Sequence, residues 1–436
     1  MLYQTLSGPI TCQVEVDDRC NNNCIHCYNH WRHEDSHRGI KMNKKVLRKV
    51  IDDLIRLKIF QVTITGGEPF LNREILFESI SELISNNIAC ALNSNLTLIK
   101  KGDAKKLYDI GLRGVMTSFF SFEEEKHDQI AGRKGAYRDT LKGISIVRDC
   151  GLKVAVSMVI TKMNEMDIVE TANFLENYGV SQFFATKASP PVNSVDFQKY
   201  MISGDSLIRT LDDLLYLEKE KKMEVGILEC YPLCAYKNGR YHFATRRSCS
   251  AGITTCTIGA DGGVRACSHS DIIFGNIVKE SLVDIWKKMR PLRKKTILPS
   301  ICKKCEYVQD CTGGCRIDAK YCFGRKDALD PYAIPSNVND ISLNKDQEII
   351  MESNDLVALN KKVVLREEED GILIGRINNP GEPALITYDT YELLSSFPGA
   401  FSIADFAKKA ELVYADAIEL CSMFVKDGIL NVSKEK

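Results

Sequence analysis

The chain has 436 residues, of which 44% are hydrophobic, so it is long enough for two or three domains with ordinary buried cores. Its 58 Lys and Arg residues balance 58 Asp and Glu residues, and this zero net charge argues against a general nucleic-acid or membrane-surface binder. No apolar run reaches the roughly 18 residues of a membrane span, and the polar N-terminus does not resemble a signal peptide, so we expect a soluble cytoplasmic protein.

Residues 12 to about 190 alternate short apolar runs with amphipathic stretches. In the first amphipathic stretch, one helical face carries Leu47, Val50, Ile51, Leu54 and Ile55. The apolar runs predict six buried parallel strands: CQVEV, QVTIT, ACALN, GVMTSF, KVAVSMVI and SQFFAT. Such strand–helix units predict a parallel β/α architecture, either an open barrel or a doubly wound sheet. In a barrel, the chemistry belongs at the C-terminal strand ends.

Composition divides the chain into four regions. Residues 1–229 form the predicted β/α domain. Residues 230–325 are rich in cysteine and glycine and show little periodicity apart from one predicted helix that contains a tryptophan, SLVDIWKKM, so they are expected to need metal ligation to fold. Residues 326–360 are predicted to be a linker. Residues 361–436 show three strand patterns and then three helix patterns, which predicts a small winged-helix-like α+β module.

Seventeen cysteines are far more than an ordinary cytoplasmic protein contains. In a reducing compartment, clustered cysteines are more often metal ligands than disulfide partners. Three lie close to the N-terminus, and ten fall between Cys230 and Cys322. The remaining four are scattered and are predicted to be small buried side chains: Cys12, Cys90, Cys150 and Cys421.

Two motifs follow the first two predicted strands. Cys20, Cys24 and Cys27 can hold three corners of a four-iron cluster and leave one iron open to a ligand. A zinc site with a distant fourth ligand is the alternative. The second motif is Gly66-Gly67-Glu68-Pro69. Its glycines allow the backbone to approach a ligand closely, and Glu68 offers an acceptor to an ammonium group, although the same sequence also suits a plain turn.

The spacing of these cysteines resembles the radical S-adenosylmethionine (SAM) superfamily. The resemblance implies a partial (β/α)6 TIM barrel in which SAM chelates the open iron and is reductively cleaved to a 5′-deoxyadenosyl radical. It also implies a set of SAM-binding residues: His26, Gly66, Gly67, Glu68, Pro69, Asn95 and Ser118. The family's SLDG motif is replaced here by Ser118-Phe119-Phe120-Ser121, so a buried strand-end serine is an equally open interpretation of Ser118.

In the middle region, Cys249-x6-Cys256-x10-Cys267 is followed by Cys302-x2-Cys305-x5-Cys311-x3-Cys315-x6-Cys322. This series resembles the SPASM domain, and a pair of zinc ribbons or knuckles is the alternative. The resemblance implies one auxiliary cluster ligated by Cys249, Cys256, Cys267 and Cys315. It implies a second auxiliary cluster with four other ligands: Cys302, Cys305, Cys311 and Cys322. The expected cofactors are therefore SAM and three [4Fe-4S] clusters, one that binds SAM and two auxiliary. Cys256 is the least secure ligand because its spacing varies among relatives. Cys230 and Cys234 are not assigned: a structural role is favoured, and a role of one of them as a hydrogen-atom or proton donor is the alternative.

The C-terminal region resembles the PqqD-like fold, also called the RiPP recognition element, which binds the leader of a ribosomally made precursor peptide. A winged helix that closes the active site or mediates dimerisation is the alternative. DNA binding is disfavoured because the segment carries an acidic patch at 367–370 and no basic recognition helix. The resemblance implies a precursor peptide bound through residues 361–436, and an electron donor such as flavodoxin or ferredoxin.

These features together predict a radical SAM oxidoreductase that matures a precursor peptide by forming an intrapeptide thioether, C–C or C–O crosslink. A formylglycine-generating sulfatase maturase and a peptide epimerase are the alternative enzymes. An iron–sulfur binding or electron-transfer protein without SAM chemistry is the alternative outside enzymes. No residue is identified as a catalytic acid or base, and neither the substrate peptide nor the oligomeric state is encoded in a recognisable pattern.

Overall fold

The structure is a computed structural model. It describes residues 6–29, 39–192, 195–236, 239–245, 247–294, 297–341, 351, 355–377 and 383–433. All seventeen cysteines lie within these ranges, and none of them is paired in a disulfide. Over the same ranges, no helix is both long and apolar enough to cross a membrane.

Seven parallel strands form the first part of the fold: β1 (Thr11–Glu15), β2 (Gln61–Thr65), β3 (Ala89–Asn93), β4 (Gly114–Ser118), β5 (Lys153–Ile160), β6 (Gln182–Lys187) and β7 (Glu224–Gly226). They lie side by side in chain order, and each pairs in parallel with the next. The first six coincide with the six predicted apolar runs, so the predicted α/β architecture with a parallel sheet is confirmed.

Helices connect these strands, with one or two helices after each of the first six: α1 (Lys44–Arg56), α2 (Arg73–Ser85), α3 (Lys101–Ile110), α4 (Glu124–Ala131), α5 (Ala136–Asp149), α6 (Ile168–Glu176) and α7 (Gly204–Lys221). A parallel pair of strands requires such a crossover, and a helix covers the apolar face of the sheet most economically.

Helix α1 illustrates how the sequence specifies these elements. The Asn43 side chain accepts a hydrogen bond from the backbone of Val46 and caps the helix. The predicted apolar face is buried in the core, apart from its last member, Ile55, which is only partly buried. The same helix buries Asp53, whose carboxylate accepts a 3.0 Å hydrogen bond from the Leu282 backbone and thereby ties α1 to the middle region.

The middle region extends the same sheet with β8 (Thr255–Ile258), β9 (Gly263–Arg265) and β10 (Ile273–Asn276). Strand β8 pairs in parallel with β1, which gives a ten-stranded sheet in the order β10-β9-β8-β1-β2-β3-β4-β5-β6-β7. The accompanying helices are short: α8 (His242–Thr245), α9 (Leu282–Lys288), α10 (Ser300–Lys303), α11 (Val308–Cys311) and α12 (Arg316–Phe323). Helix α9 is the predicted tryptophan helix, and its buried Trp286 donates a 2.9 Å hydrogen bond to the Leu6 carbonyl.

The described residues of the predicted linker form hydrogen bonds or strand pairs with other regions of the chain. Asp330 accepts a 2.7 Å hydrogen bond from the Cys315 backbone, and the buried Tyr332 donates to the Ile202 carbonyl at 3.1 Å. Farther along, a strand β11 (Leu356–Leu359) pairs with the last strand of the chain. Residues 342–350 and 352–354 of the predicted linker lie outside the described residues.

The C-terminal module contains the predicted order of three strands followed by three helices. Its elements are β12 (Val363–Glu368), β13 (Gly371–Arg376), β14 (Ala384–Ile386), α13 (Tyr388–Ser395), β15 (Phe401–Ser402), α14 (Ile403–Ala410), α15 (Tyr414–Lys426) and β16 (Leu430–Ser433). Strands β12, β13 and β14 form one antiparallel sheet with β14 at an edge. A second sheet, β15-β11-β16, was not predicted, because two-residue and four-residue strands carry no clear alternation.

A buried arginine joins this module to the parallel sheet. The Arg366 guanidinium donates to the carbonyls of Pro9 (2.7 Å), Gly8 (3.0 Å) and Leu57 (3.3 Å), and to the Glu368 carboxylate at 2.6 Å. These carbonyls lie just before β1 and β2. The module therefore docks at the N-terminal ends of these strands.

Candidate functional site

The loop after β1 carries the first three cysteines and is held by helix α4. The backbone of Asn23 donates to the Ala131 carbonyl at 2.9 Å, and that of Ile25 donates to the Ile130 carbonyl at 3.0 Å. Gly132 ends the helix with a φ of +61°, and a Cβ there would lie 2.1 Å from the Asn23 carbonyl oxygen. The predicted ligands of the first cluster all line one cavity: Cys20, Cys24 and Cys27.

The glycines of the second motif pack directly against this cysteine loop. The Gly67 backbone donates a 2.7 Å hydrogen bond to the Asp17 carbonyl. A Cβ on Gly66 would lie 2.2 Å from that same oxygen, and a Cβ on Gly67 would lie 2.1 Å from the Arg19 carbonyl oxygen. Both glycines also line the cavity. Their lack of a side chain thus allows the end of β2 to meet the backbone immediately before Cys20.

Glu68 is fully buried and does not line the cavity. One carboxylate oxygen accepts from the Phe70 backbone (3.0 Å) and the Ser94 hydroxyl (2.8 Å), and the other accepts from the Asn95 backbone (2.9 Å). Burial raises the pKa of this carboxyl above its ordinary value. The structure therefore differs from the expectation that Glu68 faces a bound ammonium group: its carboxylate organises the loop that follows β3.

The other predicted SAM-binding residues divide between the cavity and the core. Asn95 and Ser118 line the cavity at the ends of β3 and β4. The Asn95 amide donates to the Asn21 side chain at 3.0 Å and approaches the Cys20 sulfur at 3.7 Å, so it links β3 to the cysteine loop. Pro69 starts a buried 3-10 helix, Pro69–Asn72, and does not reach the cavity.

His26 lines the cavity and packs its ring edge-on against Phe120, with centroids 4.8 Å apart. Its Nδ1 is buried and has no hydrogen-bond partner among the described residues. Burial lowers the pKa of the imidazole to about 4, so the ring is neutral near pH 7. A neutral, unpartnered ring of this kind suits an aromatic ligand with a polar edge.

The cavity has a volume of about 1070 Å³ and occupies one face of the parallel sheet. Alternate residues line it in β2 (Gln61, Thr63 and Thr65) and in β5, whereas all five residues of β3 and all five of β4 line it. Because successive strand residues point to opposite faces, the alternation in β2 and β5 identifies the face of these strands that the cavity lies against. The parallel strands thus form one wall of a large cavity.

A polar cluster that the sequence did not reveal lines part of this cavity. The Lys187 ammonium is 3.2 Å from the Glu229 carboxylate and also contacts the Asp318 carboxylate. Glu229 further accepts from the Ser189 hydroxyl at 2.7 Å, and its other oxygen is 3.2 Å from the His269 ring. Lys187 is fully buried, and its position as the last residue of an apolar strand was the available signal.

The cysteine loop meets this polar cluster through an aromatic contact. The Tyr28 ring lies 3.8 Å from the His269 ring, measured between centroids. Burial raises the pKa of the Tyr28 phenol to about 12. On the opposite side of the loop, Arg133 donates a 2.7 Å hydrogen bond to the Asn22 side chain. Arg133 had no predicted role, and the structure gives it one in fixing the cysteine loop.

Four cysteines of the middle region converge beside the polar cluster. The Cys230 thiol hydrogen-bonds with the sulfurs of Cys249 and Cys315, and Cys267 lies close enough to both of these to interact electrostatically. The hydrogen bond from Cys230 lowers the pKa of Cys249 to about 7, whereas burial raises that of Cys267 to about 12. Four thiols that converge without forming a disulfide are a suitable donor set for a cluster.

This arrangement corrects the predicted ligand set at Cys256. Cys256 lies within β8, is fully buried in the apolar core, and faces the Cys12 sulfur at 3.6 Å. The two residues are register partners in neighbouring parallel strands. Cys230, which was expected to be structural, occupies the place predicted for Cys256.

Four of the remaining cysteines of this region form a second group. A small apolar cavity is lined by Cys302, Cys305 and Cys311, and also by Cys234. Cys322 does not line it, and its sulfur contacts the Met201 sulfur at 4.0 Å. Three of the four predicted ligands of the second auxiliary cluster are thus together, and the fourth is elsewhere.

Comparisons with known proteins agree with this architecture. Residues 14–175 match the radical SAM superfamily, and residues 249–306 match SPASM, described as an iron–sulfur cluster-binding domain. The AdoMet-dependent heme synthase of Oleidesulfovibrio alaskensis is 24% identical over 69% of this chain and 81% of its own length. The mycofactocin maturase MftC of Mycobacterium tuberculosis is 25% identical over 76% of this chain and 84% of its own length.

The fold is also similar to that of SuiB from Streptococcus suis. The structure of SuiB bound to its precursor peptide SuiA aligns with a TM-score of 0.61 at 18% identity, and it covers 75% of this chain and 76% of SuiB. A structure of SuiB bound to S-adenosylmethionine aligns with a TM-score of 0.62 over 76% of this chain and 78% of SuiB. At this identity the likeness establishes the shared fold.

Proposed function

We propose that this chain, a radical SAM enzyme with a SPASM domain, oxidatively modifies a ribosomally made precursor peptide and forms an intrapeptide crosslink. The observation that carries the proposal is the single cavity that extends from the cysteine loop to the polar cluster beside the first auxiliary cysteines. Its volume of about 1070 Å³ exceeds that of most small-molecule sites, so SAM and a segment of peptide can share it.

The residues of the cysteine loop fit the first cluster. Cys20, Cys24 and Cys27 would hold three of its irons and leave the fourth for the amino and carboxylate groups of SAM. When bound, this pair of cofactors supplies a 5′-deoxyadenosyl radical that removes hydrogen from an unreactive carbon. The glycine pair and Asn95 would contact SAM from the strand ends, and the neutral His26 ring would lie against its adenine.

The auxiliary cysteines support an oxidative outcome. A crosslink removes one hydrogen atom, one electron and one proton from the peptide, so the electron requires an acceptor. Cys230, Cys249, Cys267 and Cys315 would hold a fully ligated cluster beside the cavity, and a fully ligated cluster is suited to electron transfer. Together with a second auxiliary cluster this gives three [4Fe-4S] clusters, served by a donor such as flavodoxin or ferredoxin.

The chain's own residues shape the rest of the site. Lys187 gives each of the two carboxylates an ion-pair partner, so the polar cluster offers the peptide hydrogen-bonding groups whose charges are paired with each other. Tyr28 and His269 form an aromatic contact between the cysteine loop and the middle region, which limits access of water between them.

The C-terminal module would bind the leader of the precursor. Strand β14 pairs only with β13 among the described residues, so its other edge can receive an added peptide strand. Two proteins similar to this chain support a peptide substrate: MftC is a mycofactocin maturase, and SuiB is known bound to its precursor peptide SuiA. The AdoMet-dependent heme synthase is similar to this chain at 24% identity, and its name points to a small-molecule substrate. The open edge of β14 in the C-terminal module favours a peptide substrate.

Anaerobic co-expression with a candidate precursor peptide, followed by mass spectrometry, tests the proposal. Loss of two hydrogens per modified site is expected, with fragmentation that locates a crosslink. Fragmentation to formylglycine would support a sulfatase maturase instead. An unchanged mass with deuterium uptake from heavy water would support an epimerase. A loaded protein that forms no 5′-deoxyadenosine would leave only an iron–sulfur binding protein.

Deletion of residues 355–436, which removes the module together with β11, tests the role of the module separately. The truncated enzyme is expected to cleave SAM without modifying the peptide, because the cavity is formed by earlier residues. Arg376→Ala, on the same module but directed at the Val425 carbonyl, is the matched substitution that leaves the β14 edge intact. Full peptide turnover by the truncated enzyme would contradict leader binding by this module.

A further inference from the structure

We propose that Cys234, and not Cys322, is the fourth ligand of the second auxiliary cluster. The inference rests on the proposed presence of that cluster and concerns which residue completes it. The motif resemblance assigned this place to Cys322 from its position as the last cysteine of the series. The arrangement of the folded chain points to a residue that precedes the series by 68 positions in sequence, as Cys234 stands before Cys302.

Four cysteines surround the same small cavity: Cys234, Cys302, Cys305 and Cys311. Cys234 lies in a short 3-10 helix, Leu233–Ala235, and is close enough to Cys302 and Cys311 to interact electrostatically with both. The neighbouring Leu233 backbone donates a 3.4 Å hydrogen bond to the Cys311 sulfur, so the Cys234 turn and the Cys311 helix are in direct contact. A fourth thiol therefore already faces the three expected ligands.

The surroundings of this cavity suit an iron–sulfur cluster. Its other lining residues are almost all apolar: Pro232, Leu233, Ile301, Tyr307, Val308, Gly313, Leu329, Ala333, Pro335, Val338 and Ile341. An apolar shell limits access of solvent to a cluster and tunes its potential. The Cys234 turn is fixed from outside, because the Asn337 side chain donates a 3.0 Å hydrogen bond to the Cys234 carbonyl. The thiol is thus held in position by contacts that do not involve the metal.

Cys322 is directed to other residues. It lies on α12, which begins immediately after Cys315, a ligand of the first auxiliary set. Seven residues of helix place Cys322 roughly 10 Å along the axis from Cys315. Its sulfur contacts the Met201 sulfur at 4.0 Å, and it interacts electrostatically with Asp318, Lys187, Asp330 and Cys315. Asp330 also interacts with Cys302 and Cys311. None of these five neighbours of Cys322 itself belongs to the second group of cysteines.

This choice of ligands brings the two auxiliary clusters close to each other along the chain. Cys230 joins the first auxiliary set, and Cys234 joins the second, so one short segment, 230–234, supplies a ligand to each cluster. This segment follows β7 and the polar residue Glu229 that faces the substrate cavity. Both auxiliary clusters would therefore be covalently connected to the cavity wall through five consecutive residues.

Ligand substitution in a protein that lacks the first cluster tests the inference. The background is the full chain with Cys20, Cys24 and Cys27 replaced by Ala, reconstituted anaerobically with iron and sulfide. Cys234→Ala and Cys322→Ala are compared by iron and sulfide content, Mössbauer spectra and electron paramagnetic resonance. Cys234→Ala is expected to convert one cluster on mild oxidation to a three-iron form, with loss of about a quarter of its iron. Cys322→Ala is expected to match the background.

Each alternative outcome has a distinct meaning. A three-iron signal from Cys322→Ala, with Cys234→Ala unchanged, would overturn the inference while leaving the proposed function intact. Zinc in stoichiometric amount at this site in the background protein would overturn it as well, since four thiolates also bind zinc. Retention of only one cluster by the background would remove the second auxiliary cluster itself. Cys234→Ser, which preserves the side-chain volume, and circular dichroism of all variants exclude misfolding as the cause of lost iron.

Discussion

Replacing Gly67 with alanine tests how the second motif supports the first cluster. An alanine Cβ would lie 2.1 Å from the Arg19 carbonyl oxygen and 2.7 Å from that of Asp18. Unstrained carbon–oxygen contacts are about 3.3 Å or longer, so the two backbones must separate by about 1 Å. Both obstructing atoms belong to the main chain, and no side chain can rotate away. Arg19 immediately precedes Cys20, so the displacement acts directly on a cluster ligand.

The expected cost of this overpacking is about 1–3 kcal/mol. Because the strain is relieved when the cysteine loop moves, the cost falls on the conformation that holds the cluster. Retention of the first cluster should therefore weaken by roughly ten- to hundredfold.

The assay is anaerobic reconstitution of Gly67→Ala, with measurement of the SAM-dependent paramagnetic signal and of 5′-deoxyadenosine formation. Gly102→Ala is the matched control, because Gly102 lies in α3, has no heavy atom within 4 Å of the added Cβ and needs no left-handed backbone. A Gly67→Ala enzyme that keeps its first cluster and cleaves SAM at the unmodified rate would refute the packing argument.

Three further predictions follow from buried groups. Cys230→Ala should lose iron from the first auxiliary set in a chain lacking the first cluster, whereas Cys256→Ala should keep it; equal losses in the two variants would contradict the revised ligand set. Arg366→Met should destabilise docking of the C-terminal module by about 3–5 kcal/mol, because Glu368 is left buried without its charged partner. Hydrogen exchange at residues 6–10 and 363–368 measures the loss of docking, and Glu368→Gln in the same chain should recover part of the lost stability. Unchanged protection of these residues would be evidence against the prediction. Burial lowers the pKa of His127 to about 4, below its unfolded value of about 6.5, so its contribution to stability is complete above pH 6.5 and is lost as the pH falls toward 4. The free energy of unfolding in urea should therefore decrease by about 2–3 kcal/mol over this interval, and His127→Gln should make the decrease smaller. An identical pH profile in the variant would disprove the assignment.

The parallel strands and the first cysteine loop could be predicted from sequence because their signals are local. Each apolar run is bounded by an amphipathic stretch, and the three cysteines of the loop lie within eight consecutive residues, from Cys20 to Cys27. Local periodicity also predicted the apolar face of α1. Contacts between neighbours in sequence follow directly from strand and helix periodicity.

The auxiliary ligands depended instead on contacts between distant segments. Cys256 was the least secure predicted ligand because its spacing varies among relatives, and it lies in the strand TCTI, where its side chain points into the core toward Cys12. Its buried position reflects the register of β8 on β1, which no spacing rule encodes. Cys230 and Cys234 precede the motif, and only the folded chain brings them to the other ligands.

Glu68 shows a second limit of prediction from the sequence, namely the direction in which a side chain points. Its sequence context indicates a group at the end of a strand, and the structure agrees with that placement. Whether the carboxylate faces the cavity or the neighbouring loop depends on the donors nearby, namely the Ser94 hydroxyl and the backbone of Phe70 and Asn95. These donors satisfy the carboxylate internally, and its side chain is fully buried as a result.

The position of the C-terminal module bears on the alternative that it closes the active site. Arg366 docks the module on carbonyls that precede β1 and β2, whereas Cys20 and Gly66 follow the C-terminal ends of the same strands. No described residue of the module lines the substrate cavity. A five-residue strand separates the two ends by about 16 Å, so a peptide bound to the module must extend by at least about five residues before it reaches the site. This geometry suits a module that holds a leader while a more distant part of the same peptide enters the cavity, and it does not suit a lid.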